Sequence, residues 1–284
     1  MRTLPASFLI FVLSLSAACG SKSTSPSKDD DESPSESITL YTATAAAGPW
    51  SAGQKISVTG HDAKSLVDPA PILMPDGSVL MYYLMNYSSS DPASSQPGNQ
   101  WKFGVARATS NSTFTHLGVA LTQTSSAVDP FPLMLPSGLI RLFFWRAAPG
   151  IISATSSDTT GLTFSALDAG TRSNGAGEPG VVKIGATYFM YAGGANFSSA
   201  DATTFGNGQM TGIQSGHPID AGGGTYLMAY VCELGSQSPS TNVTCIASST
   251  NGTSWTQVAR LGAGSVPGLV KDASGTLRVY AVTF

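Results

Sequence analysis

One short unit recurs five times along the chain: a residue followed by proline, an apolar segment, a turn and a second apolar segment. In the first copy Asp68-Pro69 opens an apolar segment, Pro75-Asp76-Gly77 forms the turn, and residues 79–83 return. Proline presets the φ angle of a turn and glycine accepts a positive φ, so each unit predicts a β-hairpin. The units begin at Asp68-Pro69, Asp129-Pro130, Glu178-Pro179, His217-Pro218 and Val266-Pro267. Such a chain must fold as a repeat of antiparallel hairpins.

A second kind of hairpin follows most of these units. Each copy has a strand, a turn rich in Ser, Thr, Asn, Asp or Gly, and an aromatic residue on the returning strand. The clearest copy is residues 245–255, which end at Trp255; Phe114 and Phe164 take the same place in earlier copies. This turn resembles the Asp-box of sialidases and other propellers, with Thr250 where the Asp would be. An Asp-box stabilises a fold, so it supports an architecture rather than a chemistry.

The two hairpins together make four strands per repeat. The five prolines lie roughly 40–60 residues apart, which is the period of a four-stranded propeller blade. Charged residues make up only 11% of the chain, glycine occurs 31 times, and no helical periodicity is sustained after the first twenty residues. The fifth repeat has only its inner pair, and residues 38–58 supply the outer pair, which hides both sheet edges. We therefore predict an all-β, five-bladed β-propeller with four-stranded antiparallel blades over residues 38–284, the last blade closed by the N-terminal strands.

Residues 1–18 have the pattern of an export signal. Arg2 precedes an apolar run, residues 8–15, that is too short to span a bilayer. Ser16-Ala17-Ala18-Cys19 resembles a bacterial lipoprotein signal, in which Cys19 becomes the lipidated first residue; an ordinary secretory signal cleaved nearby is the alternative. Gly20 follows instead of Asp, which by the same resemblance favours the outer membrane. We predict a lipid-anchored protein of the bacterial cell envelope, at the outer membrane or cell surface, whose only membrane contact is the anchor.

Residues 19–37 form a predicted tether. From residue 20 onward they contain no large apolar side chain, so they cannot bury enough surface to offset the entropy cost of ordering.

The formal net charge of the whole chain is -3 and no basic run occurs, which excludes nucleic acid as an expected partner. We expect a monomer.

Cys232 and Cys245 fall on what should be neighbouring strands of the fourth blade. Export permits a disulfide between them. Two free thiols packed as small apolar groups are the alternative. The histidines and these cysteines lack the spacing of a zinc site, so no metal is assigned to them.

The radial symmetry of a propeller gives the repeated residues a common position. The innermost strands start around one end of the central channel, so Asp68, Asp129, Glu178 and His217 should surround one cavity. Carboxyl groups gathered in this way shift each other's pKa values, and one can act as base while another acts as acid. A glycosidic bond requires such a pair for its hydrolysis. The alternative is that each acid only caps a turn by accepting backbone N–H groups.

The order Asp-Pro, Asp-Pro and then Glu with a nearby Pro resembles the family 43 glycoside hydrolases, the five-bladed arabinanases and xylosidases. The resemblance implies that Asp68 is the general base, that Asp129 orients the acid and tunes its pKa, and that Glu178 is the general acid. His217 would lie below the site and help to hold a metal ion or water. A structural Ca²⁺ in the channel is the one cofactor it suggests. Family members invert, so the Asp68 and Glu178 carboxyls should lie ~6.5–9.5 Å apart.

Three aromatic residues, Trp101, Trp145 and Tyr188, are candidates for binding sugar together with His217. Alternate residues of a blade strand face the neighbouring blade, so about half of such aromatics belong to the core. The leading functional prediction is an exported, lipid-anchored glycoside hydrolase that cleaves a polysaccharide or oligosaccharide with inversion. The alternative is a non-catalytic propeller lipoprotein that binds glycan or protein at the cell surface.

Overall fold

The computed structural model describes residues 36–283, except positions 62, 64, 87–100, 124–126, 147, 176, 207, 211–212, 214–215 and 235–241. Within these residues all regular structure is β-strand. The strands are β1 (Ser37–Ala43), β2 (Gln54–Lys55), β3 (Ser57–Thr59), β4 (Ser65–Leu73), β5 (Val79–Asn86), β6 (Trp101–Ala108), β7 (Thr113–Gln123), β8 (Val128–Met134), β9 (Ile140–Arg146), β10 (Gly150–Thr155), β11 (Gly180–Ile184), β12 (Thr187–Ala192), β13 (Ala195–Ser199), β14 (Gln209–Met210), β15 (His217–Gly222), β16 (Thr225–Glu233), β17 (Val243–Ser249), β18 (Thr256–Ala263), β19 (Ser265–Lys271) and β20 (Leu277–Thr283). The described part of the chain contains no helix able to cross a lipid bilayer.

The strands form five sheets, arranged as the five blades of a β-propeller. The sheet orders are β4-β5-β6-β7-β3, β8-β9-β10, β11-β12-β13-β14, β15-β16-β17-β18 and β19-β20-β1-β2. Each sheet begins with the hairpin predicted from an X-Pro repeat. The five-bladed architecture predicted from the repeat is thus confirmed.

The last blade is closed by strands from both ends of the folded chain, as predicted. Strand β1 pairs antiparallel with β20 along its whole length, from Ser37 opposite Thr283 to Ala43 opposite Leu277. The hydroxyl of Thr283 also lies 2.9 Å from that of Thr39. This pairing leaves neither terminal strand as a free edge, because β2 covers the other side of β1.

The first two blades depart from four strands. Blade 1 carries a fifth strand, since β3 pairs in parallel with β7. Blade 2 has three strands, and only isolated bridges at Ser173 and Leu167 take the place of the outer strand. There the buried guanidinium of Arg172 donates hydrogen bonds to the carbonyl oxygens of Ala169, Gly170 and Thr203. These bonds add to the backbone hydrogen bonds that the segment makes with β10, and the one to Thr203 links it to blade 3.

The core lies between the blades, because alternate side chains of each strand point to opposite neighbours. Two fully buried tyrosines also join adjacent blades by hydrogen bonds of 2.6 Å: Tyr82 donates to the carbonyl of Gly161, and Tyr191 donates to the carbonyl of Gly252. Both glycines have positive φ, +69° and +75°, and a Cβ at Gly161 would come within 2.6 Å of the Tyr82 hydroxyl. Glycine is therefore required at these turns for its conformation and for its lack of a side chain.

Candidate functional site at one mouth of the channel

The innermost strands β4, β8, β11, β15 and β19 surround the central channel. The X-Pro pairs of four repeats, and His217 from the pair of the fourth repeat, line one small cavity at the end of the channel where these strands begin. The remaining lining residues are Phe131 and Gly216. The structure therefore brings Asp68, Asp129, Glu178 and His217 together, although they are far apart in sequence.

Three of the five pairs leave the regular ladder at this point. The register of the inner hairpin shifts at Asp68-Pro69, Asp129-Pro130 and Val266-Pro267, so each pair forms a bulge. The residues before proline have φ values of 55°, 57° and 44°. Asp tolerates this left-handed region better than most residues, whereas a β-branched Val there is a clear outlier. Each such residue costs about 1–2 kcal/mol, and backbone strain of this kind concentrates at functional sites.

The carboxyl group of Asp68 connects two blades. Its side chain is buried, and Oδ2 accepts a hydrogen bond of 3.3 Å from the backbone N–H of Asp129. The acid therefore caps the bulge of the neighbouring blade rather than its own turn. Asp68 therefore both accepts a hydrogen bond from the neighbouring blade and lines the shared cavity.

Burial controls the protonation of the acids. Burial is the main cause that raises the pKa of Asp68, to about 7; the charges of Glu178 and Glu36 act in the same direction, and the hydrogen bond from the Asp129 N–H opposes them. Burial likewise raises the pKa of Asp129 well above its ordinary value, with added repulsion from Asp68 and Glu178. The cluster therefore retains at least one proton near neutral pH, as an acid–base pair requires.

His217 forms the floor of the mouth. Its ring is buried, stacks at 4.5 Å on Phe131 and hydrogen-bonds to the backbone of Pro71 across the channel. Burial lowers the pKa of His217 to about 3, so the imidazole is neutral at ordinary pH. His217 lines the mouth together with the acids and also lines the cavity on the other side of its ring. Only 6% of His217 is exposed, so little of this residue can contact a molecule that binds outside the mouth.

The mouth is small. The cavity between the X-Pro pairs has a volume of about 20 Å³, which is room for about one water molecule. The rings of Phe131 and His217 fill the space beneath it. A sugar ring cannot enter a cavity of this size, so a saccharide would have to lie across the mouth.

The predicted aromatic residues take different positions. Trp145 pairs with Val128, next to Asp129, so its backbone lies near the mouth; its side chain is partly exposed and packs against the core between blades 2 and 3. Tyr188 pairs with Lys183 at the far end of β11 and packs in the core between blades 2 and 3 at 5% exposure. The structure does not bring Tyr188 to the acids. Trp101 begins β6, and its side chain lies outside the described residues, as does Cys19.

Cys232 and Cys245 lie on the adjacent strands β16 and β17. Their sulfur atoms are bonded, and their Cα atoms are 5.7 Å apart. The disulfide therefore joins the middle strands of blade 4, away from the residues that line the mouth.

Two residues near the mouth were not found from the sequence. Glu36 precedes β1 and raises the pKa of Asp68, but it falls in the acidic, apolar-poor stretch that predicted a tether. Phe131 closes the floor, yet it reads as an ordinary apolar residue of an inner strand. The position of Phe131, two residues after the second repeated acid, was the only available signal.

The channel does not fit the calcium ion that the resemblance suggested. Calcium takes six to eight oxygen ligands. The described residues contain no group of three or more His, Cys, Asp or Glu side chains able to hold a metal ion. His217 already hydrogen-bonds to the backbone of Pro71, and its ring lies against that of Phe131.

Comparisons with known proteins support the fold. The chain resembles an α-L-arabinofuranosidase from Clostridium thermocellum at 16% identity and a TM-score of 0.58, over 77% of this chain and 82% of that one. It resembles a GH43 enzyme of Xanthomonas citri, solved with xylotriose, at 12% identity and a TM-score of 0.56, over 79% and 88%. It also resembles a family 117 glycoside hydrolase of Zobellia galactanivorans at 12% identity and a TM-score of 0.55, over 78% and 88%. At these identities the similarity establishes the five-bladed fold.

No family model matches the sequence, and no curated protein matches it either.

Proposed function

We propose that this chain is an inverting glycoside hydrolase that is exported and anchored to the cell envelope through a lipid on Cys19. The observation that carries the enzymatic part is the convergence of Asp68, Asp129 and Glu178 on one mouth. Asp68 and Asp129 combine a raised pKa with a positive φ, and this combination is typical of a catalytic site. The structural neighbours, which are glycoside hydrolases of the same fold, point to the same class of reaction.

The acids have separate roles in the proposed reaction. Asp68 in its ionised form removes a proton from water as the water oxygen attacks the anomeric carbon. Glu178 in its protonated form donates its proton to the departing glycosidic oxygen, so the bond breaks with no net change in protons. Asp129 stays protonated beside them and limits the negative charge of the cluster, since its pKa is raised by burial and by both neighbours.

The size of the mouth restricts the substrate's position. With room for about one water, the cavity suits the attacking water rather than the sugar. The glycosidic bond then lies across the opening, and the partly exposed Trp145 offers an adjacent aromatic surface. A saccharide held this way presents one face of its reacting ring to the acids.

Hydrolysis of a panel of aryl glycosides and plant or microbial polysaccharides tests this proposal. The wild type should release sugar from at least one substrate, and Glu178→Gln should reduce release from the polysaccharide by about a hundredfold or more. Asp220→Asn, an exposed acid at the other end of the channel, is the matched control and should leave the rate unchanged. Polysaccharide hydrolysis that survives Glu178→Gln, or is lost in Asp220→Asn, would contradict the assignment.

A second function is favoured by two observations at the same mouth. The Asp68 carboxyl already caps a backbone N–H, and the cavity is too small for a sugar ring. Both suit a propeller that binds glycan without cleaving it. Glycan-array binding by wild-type protein that yields no product, and that survives Asp68→Asn, would support this function over hydrolysis.

The anchor has its own test. Expression in a bacterium with labelled fatty acid should label the wild type and place it in the membrane fraction. The Cys19→Ser variant should be unlabelled and released. Labelling that persists in the variant would exclude Cys19 as the lipidation site.

A further inference from the structure

The channel has a second, larger cavity at the end opposite the acids. It has a volume of about 360 Å³ and is lined by the later residues of β4, β8, β11, β15 and β19. From Asp68 to Leu73 the first of these strands rises about 16 Å at ~3.3 Å per residue. Phe131 and His217 line both cavities, so their stacked rings separate this one from the mouth.

The walls of this second cavity are mainly apolar. Ile72, Leu133, Met134 and Ile219 line it and are each partly exposed. An apolar cavity of this size with a few polar groups at its rim is the usual form of a small-molecule site. A volume of about 360 Å³ lies at the lower end of the range of known small-molecule sites, which favours a small ligand.

The charged residues are confined to the rim. Lys183 from blade 3 and Lys271 from blade 5 lie on either side of blade 4, which contributes Asp220. The Lys271 ammonium donates a hydrogen bond of 2.7 Å to the carbonyl of Ala221, and the Lys183 ammonium lies 5.3 Å from the centre of the Tyr188 ring. The Asp220 carboxylate accepts the N–H of Gly222 in its own turn. The rim therefore has two cations against one acid that is already hydrogen-bonded.

We propose that this cavity binds a small apolar carboxylate, such as a medium-chain fatty acid, with its chain in the channel and its carboxylate between Lys183 and Lys271. The apolar walls take the chain out of water, and the two ammonium groups select an anion. The binding needs none of the acids at the mouth and does not depend on the proposed hydrolysis.

Titration calorimetry with three matched probes tests this proposal on the wild-type protein: octanoate, 1-octanol and octylamine. Octanoate should bind at least tenfold more tightly than 1-octanol, and octylamine should bind most weakly. The double variant Lys183→Met with Lys271→Met should lose about tenfold in octanoate affinity, and its affinity for 1-octanol should stay within twofold. Lys55→Met, an exposed lysine outside the channel, is the control and should change nothing.

A second variant tests the location. Ile219→Trp should weaken the binding of octanoate and of 1-octanol alike. A thermal melt shows whether this variant is folded. If it is unfolded, the double lysine variant alone tests the proposal. No detectable octanoate binding, equal affinity for octanoate and 1-octanol, or unchanged octanoate affinity in the double lysine variant would each overturn the proposal.

Discussion

Replacing Asp68 by Asn should make the protein more stable at neutral and alkaline pH. In the fold the pKa of Asp68 rises from 3.8 to about 7, so the folded state favours the protonated acid. The stabilisation from this group is complete below about pH 4 and is lost as the pH rises through about 7. Asn retains an oxygen that can accept the Asp129 N–H, and it tolerates the positive φ of this position.

The magnitude follows from the pKa shift. A difference from 3.8 to about 7 corresponds to about 4 kcal/mol at about 1.4 kcal/mol per pKa unit. This value is an upper bound, because Asp129 and Glu178 share the titration and the amide of Asn must also be buried. We therefore expect Asp68→Asn to be about 1–4 kcal/mol more stable than the wild type at pH 8 and equal to it within about 1 kcal/mol at pH 4.

Urea denaturation of both proteins at pH 4, 6 and 8 measures the effect. The pKa of His217, which is lowered to about 3, makes both proteins less stable in acid, and this contribution cancels in the difference. Asp76→Asn is a control of opposite sign. The exposed Asp76 has its pKa lowered by the Ser78 hydroxyl and N–H, so its replacement should reduce stability at pH 8. A stability gain in Asp68→Asn that is absent at pH 8, or the same at pH 4 and pH 8, would refute this reasoning.

Three further predictions concern other features. The kcat/KM for a hydrolysed substrate should rise with pH through about 7 as Asp68 ionises, which a pH–rate profile checks; a profile already flat below pH 5 would contradict the assigned base. Tyr82→Phe should cost about 1–3 kcal/mol of unfolding free energy, because it leaves the buried Gly161 carbonyl unpaired, and denaturant titration would show no loss if that hydrogen bond is unimportant. Val266→Gly should lower the free energy of unfolding by less than about 1 kcal/mol, because relief of the positive φ offsets the flexibility of glycine. Val279→Gly, in the buried ladder, should lower it by about 3 kcal/mol or more. Equal losses in thermal melts would contradict strain at Val266.

The fold and the position of the acids followed from the sequence because a propeller converts a repeat position into a spatial position. Residues as distant as Asp68 and Glu178 share one mouth simply because each begins an inner strand. The same register, followed along the strand, places Tyr188 at the opposite end, since it pairs with Lys183 near the hairpin turn. Its aromatic character alone does not show which end it occupies.

Other features depend on packing that no pattern records. The closure of the mouth comes from two rings, Phe131 and His217, whose stacking depends on the distance across the channel. The outer edge of blade 2 is irregular, and the Arg172 guanidinium holds it by hydrogen bonds to two carbonyls of the same segment and to Thr203 of blade 3. Glu36 reaches the site because β1 runs beside β20 and starts at the mouth, and its own acidic surroundings in the sequence give no indication of this.

The measurement that bears most directly on the acids at the mouth is the dependence of the rate on the leaving group, for glycosides of the sugar that the wild type cleaves. Glu178→Gln should retain most activity on a dinitrophenyl glycoside, whose leaving group needs no proton, and lose about a hundredfold or more on an alkyl glycoside. Asp68→Asn should lose activity on both, because water still has to be deprotonated. Equal losses on the two glycosides in Glu178→Gln, or full activity in Asp68→Asn, would contradict the roles given to these carboxyl groups.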